Sequence, residues 1–124
     1  MSSTRICRRV AIVEDEAMVA MLLEDMLIDG GHEVVAVTGE LERATQLLSE
    51  ISADVVILDV NLNGRQSYPL ANTLASRGVR IIFSTGYGSA GLKEEWRTTP
   101  ILQKPFQARD LERAMRQVFD GASA

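Results

Sequence analysis

Apolar residues follow two rhythms that alternate along the chain. Short runs with no polar break, Val10-Ala11-Ile12-Val13 and Val55-Val56-Ile57-Leu58, predict strands buried on both faces, as in a parallel sheet. Between them the spacing becomes helical. Val19, Leu22, Leu23, Met26 and Leu27 form one stripe, the predicted core face of a first helix that Gly30-Gly31 stop. Glu33 to Val37 alternates only in part and predicts a short strand near an edge. Thr38 is placed to cap a second helix with the stripe Leu41, Ala44, Leu48 and Ile51. Asn63-Gly64 suits φ > 0 and predicts a tight turn. Ser67 is placed to cap a third helix, with Pro69 in its first turn, Leu70, Ala71 and Leu74 inward and Gly78 at its end. Val79 to Phe83 predicts a fourth strand and Ile101-Leu102 a short fifth. Leu111, Ala114, Met115, Val118 and Phe119 mark a last helix, and Gly121 to Ala124 a frayed tail.

The weakest helix is Ser89 to Thr99. Gly86, Gly88 and Gly91 crowd its start, and Leu92 and Trp96 are its main apolar anchors. Glycine costs about 1 kcal/mol per helical site relative to alanine, so this element is expected to be short or mobile. Taken together, β-α recurs five times, which predicts an α/β fold: a doubly wound, five-stranded parallel sheet with helices on both faces. The order 2-1-3-4-5 sets the first and third strands side by side at the switch point. Glu14, Asp15 and Asp59 then converge there, with Thr85 and Lys104 at the ends of the fourth and fifth strands on the same rim.

Composition bounds what such a rim does. The 124 residues suit a single domain over 1–124, with an ordered core spanning about 5–120. A net charge of −4 argues against non-specific nucleic-acid binding. The one cysteine, Cys7, has no internal partner, which suits a reducing cytosol, and at the start of the first strand it reads as a buried thiol. No run approaches transmembrane length and no signal-peptide core precedes Val10, so a cytoplasmic protein away from the membrane is expected. A start at Met1 and a short tail suggest a complete chain.

Three crowded carboxylates stay ionised only beside a cation. Oxygen ligands with room for water suit Mg²⁺, and Lys104 is a compact charge for an anionic oxygen. With Thr85 these make a phosphoryl-transfer site, in which aspartate is an accepted nucleophile. Singly, each residue has a plainer reading. Asp59 is a turn residue, Glu14 to Glu16 an acidic first helical turn, Thr85 a turn hydroxyl and Lys104 a solvated lysine. The joint pattern outweighs them, because structural economy does not gather acids and a lysine at one rim. His32 reads as a surface residue and Trp96 as a packing anchor.

These residues resemble a response-regulator receiver domain over essentially the whole chain: Glu14-Asp15 after strand one, Asp59 after strand three, Thr85 after strand four, Lys104-Pro105-Phe106 after strand five. The resemblance implies the flavodoxin-like (βα)5 fold and phosphorylation of Asp59 from the phosphohistidine of a sensor kinase or phosphotransfer protein. It implies Mg²⁺ on Asp15, Asp59, Glu14 and the backbone carbonyl of Asn61. It also implies Thr85 and Lys104 on the phosphoryl group and a cis Lys104-Pro105 bond. Phe83-Ser84-Thr85-Gly86-Tyr87 is similar to the Phe-Ala-Thr-Gly-aromatic signature of the stand-alone FAT GUY group, as is the loop Asp59 to Gly64. Ile101 stands where many receivers carry an aromatic switch, so Tyr87 and the Gly86 to Gly91 segment are the expected gate. A monomer is expected, with output to a downstream protein through the fourth helix, fifth strand and last helix, or by onward phosphotransfer.

Two other classes compete. An aspartate-nucleophile phosphohydrolase usually carries a second Asp two residues after the nucleophile, where this chain has Asn61, which cannot protonate a leaving group. An unphosphorylated binding module has no need of the full set Asp15, Asp59, Thr85 and Lys104. The expectation is therefore a switch that at most loses its phosphoryl group slowly, and not a multiple-turnover enzyme.

Overall fold

The computed structural model describes residues 6–88 and 91–120. Five parallel strands make the sheet: β1 (Arg9–Val13), β2 (Glu33–Thr38), β3 (Val55–Asp59), β6 (Arg80–Thr85) and β7 (Ile101–Gln103), in the order β2-β1-β3-β6-β7. Counted over the parallel strands alone this is 2-1-3-4-5, with β2 at an edge. The helices are α1 (Ala17–Asp29), α2 (Leu41–Glu50), α3 (Tyr68–Ser76) and α4 (Ala108–Asp120).

The central strands are apolar on both faces because both faces are covered. Val10, Ile12, Val55, Ile57 and Ile82 point toward α1 and α4, where Leu23, Leu27, Leu111 and Met115 meet them. Ala11, Val13, Val56, Leu58 and Phe83 point the other way, onto Ala44 and Leu48 of α2 and Leu70, Ala71 and Leu74 of α3. Alternate residues of one strand thus feed two cores, which is why the sequence shows runs rather than alternation.

Several local expectations change. The fourth crossover is no α-helix: among the described residues it holds the 3₁₀ turn Glu94–Trp96, anchored by buried Leu92 and Trp96. Asn63 (φ 52°) and Gly64 (φ 86°) do form a tight turn, and it closes a small hairpin, β4 (Asn61–Leu62) with β5 (Arg65–Gln66). The second helix starts after Glu40, not Thr38, whose hydroxyl instead accepts the Glu40 N–H at 3.3 Å. Ser67 does sit at the α3 N-cap position, yet its hydroxyl makes no cap bond.

The α1 stripe is narrower than its spacing suggests. Ala20, Leu23 and Leu27 are buried and Val19 and Met26 partly so, while Leu22 joins Met18 and Met21 on the exposed side. A helix touching a sheet buries about a third of its circumference, so a five-residue stripe overruns the contact. Cys7 is exposed, because β1 begins two residues later at Arg9. His32 is half-buried rather than on the surface, and its Nδ1 accepts the Arg8 N–H at 3.1 Å. The tail from Gly121 and the predicted start of the fourth helix at Ser89-Ala90 lie outside the described residues.

Candidate functional site

The carboxyl ends of β1 and β3 lie side by side, with Val13 in register with Leu58. The chain leaves β1 through Glu14, whose N–H donates to the Thr38 carbonyl at 2.9 Å and so follows β2 for one more residue. Gly39 makes that approach possible. A Cβ there would stand 2.9 Å from Asp15 Cα and 3.0 Å from the Glu14 carbonyl oxygen. The result brings one carboxylate oxygen each of Glu14, Asp15 and Asp59 within 4.8 Å of one another.

Lys104, from the turn after β7, enters this group. Its Nζ lies 2.9 Å from Glu14 Oε1, 3.0 Å from Asp59 Oδ2 and 3.2 Å from Glu16 Oε1. The Lys104 N–H donates to the Thr85 carbonyl at 2.9 Å, which ties this turn to the end of β6. The Lys104-Pro105 bond is cis. Backbone amides serve three further oxygens: Asn61 N–H to Asp59 Oδ1 (3.1 Å), Asn63 N–H to Asp15 Oδ2 (2.9 Å) and Glu16 N–H to Glu14 Oε2 (3.0 Å).

Charge is unevenly distributed. Burial is the largest influence on Glu14, 3% exposed, and pushes its carboxyl up to about 7 although Lys104 and the Glu16 amide pull the other way. Burial would lower the Lys104 ammonium, but its close contacts with Glu14 and Asp59 outweigh that and hold it above the ordinary lysine value. Among the described residues one lysine thus faces three acids (Glu14, Asp59 and Glu16) while Asp15 meets a backbone amide and no cation. Glu14 Oε1 is buried without a well-directed hydrogen bond. An all-oxygen set with an underused buried acceptor and excess negative charge fits a hard divalent cation such as Mg²⁺.

Thr85 closes β6, buried, and its Oγ1 accepts the Tyr87 N–H at 3.1 Å. Asp59 pairs in register with Ser84, one residue before it. Asn61 opens β4 with its side chain exposed. Tyr87 is 83% exposed, and among the described residues it makes no hydrogen bond to the acids.

The sequence reading missed four participants. Gly39 and the Asn63 amide act by backbone approach, which no residue type advertises. Glu16 was visible only as one acid of three. Ser67 stands at a helix-cap position, but it is fully buried and its Oγ donates to the Asp59 carbonyl at 2.6 Å. Its N–H donates to the Val60 carbonyl at 2.9 Å. The signal for it was a serine eight residues after Asp59 across a tight turn, which is legible only once the hairpin is known.

Residues 10–116 match the profile of the response regulator receiver domain. The chain belongs to that family. This receiver is 35% identical over 108 residues to the transcriptional regulatory protein PdtaR of Mycobacterium tuberculosis, covering 84% of this chain and 53% of that protein. It is 32% identical over 115 residues to the phyllosphere-induced regulator PhyR of Methylorubrum extorquens, covering 89% of this chain and 43% of PhyR. The receiver therefore spans about half the length of these curated relatives. Among solved structures, SdrG from Sphingomonas melonis Fr1 superposes with a TM-score of 0.83 at 34% identity, over 90% of this chain and 96% of SdrG. The BeF3-activated conformation of SdrG from Pseudomonas melonis Fr1 gives 0.76 at 34% identity, over 86% and 92% of the two chains. No helix among the described residues is long and apolar enough to cross a membrane.

Proposed function

We propose that this receiver domain is a phosphoryl-accepting switch of a two-component or phosphorelay pathway, with Asp59 as the phosphoacceptor. The observation that carries the reading is the convergence of Glu14, Asp15 and Asp59 on one point with Lys104 Nζ among them. In the reaction, one Asp59 oxygen forms a P–O bond to the phosphoryl group of a partner phosphohistidine. The P–N bond breaks, and the imidazole leaves with the electron pair and takes up a proton. Asn61 N–H and Lys104 Nζ hold the two Asp59 oxygens, which fixes the carboxylate for in-line attack. Lys104 moves with the charge to a phosphoryl oxygen, and Thr85, beside it at the rim, offers its hydroxyl to another.

Glu14, Asp15, Asp59 and the Asn61 carbonyl would hold Mg²⁺, which supplies charge neutralisation for the phosphoryl oxygens. A sensor histidine kinase or histidine phosphotransfer protein is the donor, in the cytoplasm. Output is protein–protein binding through β7, α4 and the turn before β7, or onward transfer of the phosphoryl group. The domain is not a multiple-turnover enzyme, since Asn61 has no proton to give a leaving group.

The test is intact-mass measurement after incubation with Mg²⁺ and acetyl phosphate. One adduct of phosphoryl mass is expected, and none in Asp59→Asn. Multiple turnover on phosphate esters would replace the switch with a hydrolase, and no adduct in the wild-type chain would leave a passive binding module.

A further inference from the structure

Ser67 stands where a serine should cap α3, and it does not cap it. Its buried hydroxyl instead donates to the Asp59 carbonyl at 2.6 Å and lies 3.3 Å from the Val60 carbonyl, which also takes its N–H. Val60 N–H is in turn held by the Ser84 carbonyl at 3.2 Å, and Asn61 N–H by Asp59 Oδ1 at 3.1 Å. Every peptide group between Asp59 and Asn61 is therefore pinned, and Ser67 supplies two of the pins.

The next residue, Tyr68, is buried and faces the other way. Its hydroxyl accepts the Lys93 N–H at 3.0 Å, and the Lys93 ammonium lies 4.9 Å over its ring. Tyr68 stacks edge-on against Phe83 (5.5 Å), which stacks edge-on against Trp96 (5.2 Å). Among the described residues the turn that replaces the fourth helix is thus tied to α3 by the Lys93–Tyr68 hydrogen bond and, through Phe83 of β6, by an aromatic column. Among the described residues the buried Trp96 indole N–H has no hydrogen-bond partner. An unpaired buried donor is a cost that opening relieves.

We infer that Ser67 is a positioning residue for Asp59 and that, through the adjoining Tyr68, it couples Asp59 to the Leu92–Trp96 turn. The inference rests on Asp59 as phosphoacceptor and supplies an aromatic lever in a chain that has Ile101 rather than an aromatic before Lys104. Charge transfer to Asp59 strains the Asp59–Asn61 peptides. Ser67 passes that shift to the first turn of α3, and Tyr68 loosens its hold on Lys93. A two-state attachment biased from one end is what such coupling requires.

The experiment is amide exchange and ¹H–¹⁵N spectroscopy on the full chain, with and without Mg²⁺ and beryllofluoride, a phosphoryl mimic. In the wild type, beryllofluoride should speed exchange at Lys93 about tenfold and shift the Trp96 indole resonance. Tyr68→Phe keeps the ring and the fold. It should exchange fast at Lys93 already without beryllofluoride and show no further change, while Asp59 adduct formation from acetyl phosphate stays within about twofold of wild type. Ser67→Ala should slow adduct formation about tenfold and break the response at Lys93, and Ser67→Thr should restore both. A Lys93 amide that responds to beryllofluoride in Tyr68→Phe as it does in the wild type would overturn the coupling. Normal adduct formation in Ser67→Ala would overturn the positioning role. A wild-type chain that takes up neither adduct would remove the phosphoacceptor reading and the coupling together, a result distinct from either variant outcome.

Discussion

Lys104 is the residue on which the site balances. It sits between Glu14 and Asp59, at 2.9 and 3.0 Å, and so occupies carboxylates that a divalent cation would use. Lys104→Met should therefore have opposite effects on two properties. Mg²⁺ affinity should rise several-fold, because a competing charge is gone, while phosphorylation from acetyl phosphate should slow at least about tenfold. Calorimetric Mg²⁺ titration together with adduct kinetics decides it; a fall in Mg²⁺ affinity would show that Lys104 organises the acids rather than competes for them. Asp15→Asn should weaken Mg²⁺ about tenfold or more, since among the described residues no cation pairs with Asp15, and an unchanged affinity would take Asp15 out of the metal shell.

At the scale of elements, the site depends on how closely β2 passes the end of β1. Gly39→Ala would place a methyl group 2.9 Å from Asp15 Cα, against backbone that cannot swing away. A loss of about 1–3 kcal/mol in stability is expected, together with weaker Mg²⁺ binding as Asp15 is displaced. Gly78→Ala is the matched control. Its φ of 84° disfavours a side chain but its surroundings are open, so it should cost about 1–2 kcal/mol and leave Mg²⁺ affinity alone. Denaturant midpoints and metal titrations of both variants separate the two cases. If Gly39→Ala binds Mg²⁺ like the wild type, the close approach is a matter of packing only. The α3 entry shows a similar exchange of roles. A Ser cap is worth about 1 kcal/mol to a helix, and here that hydroxyl goes to Asp59 instead.

For the molecule as a whole, the acidic cluster makes stability depend on pH. Glu14 has a folded value of about 7 against an ordinary 4.5, so the folded chain holds this proton more tightly than the unfolded one. Its contribution is complete below about 4.5 and is lost as pH rises through about 7, on the order of 3 kcal/mol in metal-free protein. Mg²⁺ binds the ionised form, so it should raise the melting temperature clearly more at pH 8 than at pH 5.5. Thermal melts at both pH values with and without Mg²⁺ test this, and an equal shift would mean that Glu14 is already ionised at pH 5.5.

Much of this was legible in the order of residues. Two unbroken apolar runs, the helical stripes and the punctuation at Gly30-Gly31, Asn63-Gly64 and Gly78 dictate a parallel sheet with helices on both faces, because a strand covered twice has no polar side to show. Asp15, Asp59, Thr85 and Lys104 were legible because they follow strands, and a parallel sheet gathers its strand ends at one rim. What the tertiary structure decided lies in contacts between backbones and in competition for one group. Gly39 matters through a neighbour far from it in sequence, and the Leu92–Trp96 turn takes its shape from Tyr68 and Phe83 rather than from helix propensity. Ser67 could cap α3 or hold Asp59, and local sequence favours the cap. Only the folded chain, which brings the buried Asp59 carbonyl within 2.6 Å of the hydroxyl, makes the second bond the stronger claim.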